Sequence, residues 1–226
     1  MPALAPRGRV ISLILIRPVK HAIPLLLAAL IVRGCFAADN PFESGLAAFK
    51  EGDFDKAISL FTEDIRLHPS NGAAFDNRGF AYLQKGDLDR AIADFTVPIR
   101  MRPDDPHPYS NRAHAYEKKG DYSRAIADYS RAIQLDPNRA EDYNNRGAIF
   151  GSQGQWDKAI ADFNAAIQKN PKFAEAYVNR GMAYYGKREV AKSIADFEEA
   201  LRIKPGDPEA ALRLSLVKSR NPPQNH

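Results

Sequence analysis

The fold is decided by residues 140–173, which read AEDYNNRGAIFGSQGQWDKAIADFNAAIQKNPKF. This stretch contains two segments of helical length, each with apolar residues at helical spacing, and turn residues around Gly154 separate them. Asn170-Pro171 ends the second segment, because proline disfavours helical geometry in the residue before it. The stretch therefore predicts a helical hairpin made of a helix A followed by a helix B.

The same pattern recurs along the chain with a period of 34 residues. The period is carried by five prolines, four turn glycines and five aromatic residues: Pro69, Pro103, Pro137, Pro171 and Pro205; Gly52, Gly86, Gly120 and Gly154; Phe61, Phe95, Tyr129, Phe163 and Phe197. A fixed period of this length is typical of a chain that stacks copies of one helical hairpin. One hairpin cannot bury its apolar face alone, so neighbouring hairpins are expected to share a continuous core.

The positions that keep the period resemble those of the tetratricopeptide repeat (TPR) family, and the resemblance covers residues 38–207. They include a small residue and an aromatic on helix A and an alanine on helix B: Gly79, Ala113, Gly147 and Gly181; Tyr82, Tyr116, Phe150 and Tyr184; Ala91, Ala125 and Ala159. The resemblance implies an all-α protein, a right-handed α-solenoid of five TPR hairpins. The hairpins are expected at 38–71, 72–105, 106–139, 140–173 and 174–207.

The C-terminal residues predict one further helix, 208–219, which would cover the apolar end of the last hairpin. Residues 220–226 are expected to form a disordered tail.

Three departures from the period stand out. The first copy has Asp64 where later copies have alanine, and the fifth has Arg188 in place of the turn glycine. The second copy has Pro98 inside helix B, where an interior proline removes one backbone hydrogen bond and costs about 3 kcal/mol. Pro98 predicts either a kink absorbed in the last turns of the helix or a bend between the second and third hairpins.

The positive net charge belongs to the N-terminal segment alone. The formal net charge is +4, but residues 1–37 contain five basic residues and no acidic one, which leaves 27 basic and 28 acidic residues for the rest. No basic stripe remains to neutralise phosphates, so nucleic acid is not an expected partner.

Residues 1–37 have the layout of an export signal: a basic stretch, an apolar run over 22–32, and small residues near Ala37. We expect a cleaved signal peptide and a bacterial periplasmic location. The alternatives are a membrane anchor within residues 10–32, an organelle transit peptide, and lipidation of Cys35. Contact with a membrane is expected only through this segment. Cys35 is the single cysteine, so a mature chain without it forms no disulfide or thiolate site.

Four asparagines occupy one position on successive A helices: Asn77, Asn111, Asn145 and Asn179. The family resemblance implies that the A helices line a concave groove and that this position faces it. A carboxamide has both a donor and an acceptor, so a ladder of four could bind the backbone of an extended peptide. The alternative is that each asparagine bonds to neighbouring backbone or to water between helices.

An arginine on helix A and an aspartate on helix B occur together in copies two to five, and both are missing from copy one. The residues are Arg78 and Asp94, Arg112 and Asp128, Arg146 and Asp162, and Arg180 and Asp196. Pairing each aspartate with the arginine of the next hairpin would leave Arg78 and Asp196 without partners. The joint occurrence therefore favours a structural ion pair inside each hairpin.

The other groove positions vary between copies, as a surface specific for one partner would. One position holds Phe80, His114, Ala148 and Met182; a second holds Leu83, Glu117, Gly151 and Tyr185; a third holds His107, Glu141 and Glu175. Among these we expect Phe80, His114, Met182 and Tyr185 to contact a bound peptide. TPR proteins that grip chaperone C-termini use a lysine and an asparagine in their first clamp repeat, where this chain has Phe42 and Leu46. That ligand is not expected.

No catalytic, cofactor or metal site is indicated. The histidines show no metal-ligand spacing, and no phosphate-binding glycine loop is present. Trp156 is interpreted as a core aromatic, since Phe54, Leu88 and Tyr122 hold its position elsewhere. The sequence predicts a noncatalytic scaffold or adaptor that binds a peptide or helix of a partner protein. The alternatives are an architectural or oligomerisation module with an unused groove, and a regulatory subunit of a separate enzyme.

Overall fold

The computed structural model describes residues 40–220, which form eleven helices and no strand. The helices are α1 (Pro41–Glu51), α2 (Phe54–Leu67), α3 (Gly72–Gln84), α4 (Leu88–Met101), α5 (Pro106–Lys119), α6 (Tyr122–Leu135), α7 (Ala140–Ser152), α8 (Trp156–Lys169), α9 (Ala174–Gly186), α10 (Val190–Ile203) and α11 (Pro208–Arg220). The leader expected at 1–37 lies outside the described residues, as do residues 221–226 of the tail expected at 220–226. Arg220, the first residue of that expected tail, is helical instead. Within the described range, no helix combines the length and apolar character needed to cross a bilayer.

The helices stack in chain order as an α-solenoid. Each odd-numbered helix from α1 to α9 packs most extensively on the helix that follows it, which makes five hairpins, and each hairpin then packs on the next. The extra helix α11 packs on α10 and ends at Arg220, one residue beyond the expected end of the capping helix. The expected order of five hairpins and a final capping helix is confirmed.

Aspartates cap the N-termini of several helices, and each of the five A helices is followed within two residues by a residue with positive φ. Asp53 and Asp87 accept the backbone N–H of the residue three positions later, which caps the N-termini of α2 and α4. Asp105 caps α5 in a similar way through the N–H of His107. Because Asp105 is the cap, α5 begins at Pro106, and proline suits the first position of a helix.

Each hairpin closes around one buried aromatic side chain of helix B. Phe95 and its four equivalents, Phe61, Tyr129, Phe163 and Phe197, are almost completely buried. A Cβ atom placed on Gly79 of helix A would lie 2.8 Å from the ring of Phe95, so the absence of a side chain allows the close approach. The periodic residues of the sequence therefore form the core.

Pro98 does not interrupt its helix. Helix α4 runs from Leu88 to Met101, and Pro98 is buried within it. The carbonyl of Pro98 accepts the N–H of Arg102 at 2.9 Å, so the helix closes normally after the proline. The hydrogen bond that Pro98 cannot donate is lost within α4.

The A helices lie on the inner side of the stack. Helix α1 contacts α3, α3 contacts α5 and α7 contacts α9, whereas successive B helices between residues 40 and 220 do not approach each other to this extent. A stack whose A helices are closer together than its B helices curves toward the A helices. Their exposed surface is called the groove from here on.

Candidate functional site

Each arginine of helix A binds the aspartate of its own hairpin through two hydrogen bonds. Nε and Nη2 donate to the two carboxylate oxygens over distances of 2.7 to 2.9 Å in the pairs Arg78–Asp94, Arg112–Asp128, Arg146–Asp162 and Arg180–Asp196. The four aspartates are 6 to 7% exposed. Two parallel bonds to one carboxylate fix the geometry of the guanidinium. The sequence expectation of a pair inside each hairpin agrees with this geometry.

A third contact, which the sequence reasoning missed, joins each arginine to the preceding hairpin. The Nη1 atom donates to an oxygen on the previous helix B at 2.7 to 3.1 Å; the acceptors are Thr62, Thr96, Ser130 and Asn164. The signal was a small oxygen-bearing side chain sixteen residues before every arginine. The four arginines, four aspartates and four acceptors are called the Arg–Asp seam. Since the guanidinium groups are engaged inside the protein, the seam is structural.

The four asparagines do not form a uniform ladder. Asn77 Nδ2 donates to the carbonyl of Ala73 at 2.8 Å, which is the bond to neighbouring backbone that the alternative interpretation expected. Asn179 Nδ2 donates to Asn144 Oδ1 at 2.9 Å. Asn145 is only 8% exposed, and Asn111 hydrogen-bonds to the carboxyl of Asp76. Each asparagine therefore has its own environment.

Two acidic side chains of the A helices, Asp76 and Glu175, lie mostly buried and form no ion pair with another residue between 40 and 220. Burial raises the pKa of Asp76 to about 7, and the hydrogen bond from Asn111 opposes that rise. The Oδ1 atom of Asp76 has no hydrogen-bond partner within the described chain. Burial likewise raises the pKa of Glu175 to about 7, against the opposing hydrogen bond from Asn144. Groups with such shifted pKa values often mark functional surfaces.

The groove contains a cavity of about 370 Å³ where α7, α9 and α11 come together. Val178, Met182 and Trp156 contribute its apolar wall, and Glu175 and Asn179 contribute polar atoms. Trp156 also packs against the hydrophobic cluster around Phe163, Ala159 and Ala183, so it serves both the core and the cavity.

Of the residues that the sequence placed in the groove, the structure brings only some into this cavity. Asn179 and Met182 line it, whereas Phe80, His114 and Tyr185 do not. Phe80 packs edge-on against Phe95, with ring centroids 5.1 Å apart. His114 Nδ1 lies 3.7 Å from Glu117, and Tyr185 packs against the cluster around Val178. Glu175 was one of the variable groove residues, but nothing in the sequence distinguished it from Glu141.

Across residues 40–220, no group of histidine, cysteine, aspartate or glutamate side chains is arranged to hold a metal ion. The groove combines an apolar wall, carboxamides and two mostly buried carboxyl groups.

Sequence comparison identifies the class of this protein. Models of the tetratricopeptide repeat family match residues 42–106 and 144–208, and a second tetratricopeptide repeat model matches 108–139. The chain belongs to the TPR family. A search of curated proteins finds no match.

Solved structures with the same fold include other TPR proteins. The crystal structure of MamA is 28% identical, with a TM-score of 0.65, and the alignment covers 71% of this chain and 94% of that one. YrrB, "a TPR protein with an unusual peptide-binding site", is 20% identical with a TM-score of 0.62, over 76% of this chain and 89% of that one. The first TPR domain of Spaghetti (RPAP3) bound to the HSP90 peptide SRMEEVD is 24% identical, with a TM-score of 0.50, over 51% and 91%.

Proposed function

We propose that the chain binds a peptide or helix of a partner protein in its groove. TPR proteins are in general noncatalytic scaffolds for protein–protein interaction, and this chain has the repeats of that class. The observation that carries the proposal is the cavity of about 370 Å³ on the inner helices, with its apolar wall and adjoining carboxamides. Concave, mostly apolar sites with a few placed polar groups are typical of ligand binding.

Two structural relatives support the proposal by analogy. The names of YrrB and of the RPAP3 domain describe peptide binding by those proteins. Because both proteins are less than 25% identical to this chain, they indicate a shared fold but no particular ligand.

In this proposal the four asparagines do not all bind the peptide in the same way, as a uniform ladder would. Asn77 and Asn179 each use one N–H inside the protein, and each keeps its Oδ1 atom to accept an N–H from a bound backbone. Phe80, His114 and Tyr185 would extend the contact surface along the groove beyond the cavity.

We also propose that the protein acts in an exported compartment, as the basic and apolar composition of residues 1–37 favours. N-terminal sequencing of the protein purified from a bacterial periplasmic fraction tests this. A mature N-terminus near Ala38 is expected, and an intact leader in the membrane fraction would indicate an anchor instead.

The groove is tested with two matched substitutions in the fourth hairpin. The full-length chain serves as bait, captured proteins are identified by mass spectrometry, and each is then measured for direct binding. Ala148→Lys places a positive charge on α7 at the cavity, whereas Ala161→Lys places the same charge on the exposed face of α8. We expect Ala148→Lys to weaken binding at least about tenfold and Ala161→Lys to leave it unchanged. Equal binding by both variants would favour an architectural role with an unused groove.

A further inference from the structure

The cavity between α7, α9 and α11 has the dimensions of a pocket for one or two side chains. Its volume of about 370 Å³ lies at the lower end of the range for ligand sites, roughly 300–1,000 Å³. Val178, Met182 and Trp156 line one side, and the carboxyl group of Glu175 lies among them. An occupant must therefore fit both an apolar wall and a carboxyl group.

The carboxyl group of Glu175 has a hydrogen bond but no ion pair in the described part of the chain. Its Oε1 atom accepts from Asn144 Nδ2 at 3.3 Å. Lys204 is the cation that lines the same cavity, and its Nζ is engaged by Asp207 at 2.8 Å. No lysine, arginine or histidine between residues 40 and 220 forms a salt bridge with Glu175, so an incoming cation would meet a carboxyl group that is not already engaged in an ion pair.

The charges that face Glu175 make the site favourable for a cation. Burial raises the pKa of Glu175, and the nearby carboxylates of Glu209 and Asp207 raise it further, while the hydrogen bond from Asn144 and the charge of Lys204 lower it. A cation bound against the carboxylate would lower the pKa of Glu175, because an opposite charge favours the ionised form.

We propose that this cavity binds one lysine or arginine side chain of the partner peptide, with its methylene stem along the apolar wall and its cationic head at Glu175. Long basic side chains have this division between an apolar stem and a charged end. The ring of Trp156 offers a further favourable surface for a cation. This inference rests on the proposed function, since it names the chemistry of the partner in the same groove.

The single tryptophan of the chain makes the test direct. Trp156 lines the cavity and is the only tryptophan in the sequence, so its fluorescence reports occupancy without a label. The probes are capped pentapeptides Ala-Ala-X-Ala-Ala, with lysine, arginine, norleucine or glutamate at X, titrated into the full-length chain at pH 8. We expect the lysine and arginine peptides to bind at least about tenfold tighter than the norleucine peptide. Equal binding of the norleucine peptide would overturn the proposal.

Two substitutions at equivalent positions of neighbouring hairpins test which residue gives the preference for lysine over norleucine. Glu175→Gln keeps the size of the side chain and its acceptor for Asn144, and it should abolish the preference for lysine over norleucine. Glu141→Gln changes the equivalent residue of α7, which does not line the cavity, and should preserve the preference. Lowering the pH to 5 should reduce the preference in the unmodified chain, because Glu175 is then protonated. A preference that survives Glu175→Gln would place the cation elsewhere.

The peptide titration and the partner-binding experiment can fail independently. If Ala148→Lys abolishes partner binding but norleucine binds as well as lysine, the groove is used and the cationic pocket is wrong. If lysine selectivity depends on Glu175 while Ala148→Lys leaves partner binding unchanged, the cavity selects basic side chains, but the partner does not bind in the groove.

Discussion

The Arg–Asp seam and the groove are built from the same repeat, but they differ in how their polar residues repeat and pair. In the seam, every guanidinium binds a carboxylate of its own hairpin and an oxygen of the preceding one, four times over with nearly the same distances. In the groove, the position of Asp76 is held by Ser110, Asn144 and Val178 in later copies. The comparison teaches that the charged residues of the seam repeat together with their partners, whereas the buried carboxyl group of Asp76 has no equivalent in later copies.

The unmatched polar atoms of the described chain lie at positions that break the repeat. Asp76 leaves one carboxyl oxygen without a partner, and Glu175 has no ion pair. A buried polar group without a partner costs free energy, so such groups destabilise the fold unless a ligand completes them. Departures from the repeat also occur outside the groove: Ser193 buries an unpartnered hydroxyl where other copies have alanine.

The largest expected effect comes from breaking the seam. Arg146→Ala leaves the buried carboxylate of Asp162 without its partner and also removes the bond to Ser130. Loss of one member of a fully buried pair costs about 3–5 kcal/mol, and the arginine side chain here is 19% exposed, so we expect about 2 kcal/mol. Asp162→Ala should cost a similar amount. Urea unfolding of the single variants and the double variant measures both effects and their coupling.

In that cycle, the double variant should lose at least about 1 kcal/mol less than the sum of the single losses, because one broken pair cannot be broken twice. Arg124→Ala is the control. It breaks an arginine–aspartate pair in which the arginine side chain is 60% exposed, and it should have a much smaller effect. Additive losses at Arg146 and Asp162 would show that the seam contributes no pairwise stability.

Most of the scaffold could be predicted from the sequence because its signals are local and repeated. Helix α6 has the bounds that the turn at Gly120-Asp121 and the stop at Asp136-Pro137 indicated. The pairing of the seam followed from joint occurrence, whereas its third contact depends on how one hairpin is rotated against the next. A single repeat does not encode that rotation.

The cavity could not be predicted because it depends on packing between distant elements. It lies where Ala148 and Gly151 of α7 leave space beside α9, and Glu209 of α11 is among the residues that line it. The equivalent positions in other copies carry larger side chains, such as His114 and Glu117. The sequence shows these small residues, but the cavity that they leave depends on how α7, α9 and α11 are placed in the folded chain.

The second prediction addresses the groove through Asp76. In the unfolded chain the pKa of an aspartate is about 3.9, and in the folded protein burial raises that of Asp76 to about 7. The folded state therefore binds the proton more tightly, and stability falls as the pH rises between about 4 and 7. Asp76→Asn removes the charge. The full pKa difference corresponds to about 4 kcal/mol, and since the residue is not completely buried, we expect the variant to gain about 1 kcal/mol at pH 8 and almost nothing at pH 4. Urea unfolding at both pH values measures the difference.

Asparagine suits this position because Asn144 occupies it in the fourth hairpin. The charges around Asp76 are Arg102, Asp105 and Asp94, and all three remain in the variant. Asp104→Asn is the matched control, because that carboxyl is 92% exposed and should give no pH-dependent gain. A gain at pH 4 as large as that at pH 8 would show that ionisation of Asp76 is not the cause.

The smallest expected effect is at Arg188, a departure from the repeat that lies in a turn and outside the cavity. Its φ of 64° is in the left-handed region, where the other hairpin turns have glycine. That conformation costs a residue with a Cβ about 1–2 kcal/mol, although glycine also gains freedom in the unfolded chain. Arg188→Gly should therefore stabilise the protein by about 0.5 kcal/mol, measured by urea unfolding, and leave peptide binding unchanged. Gly154→Ala is the converse control, since a Cβ there would meet no atom within 4 Å and its cost is that of the backbone alone. A loss of peptide binding in Arg188→Gly would mean that departures from the repeat outside the groove also serve the partner.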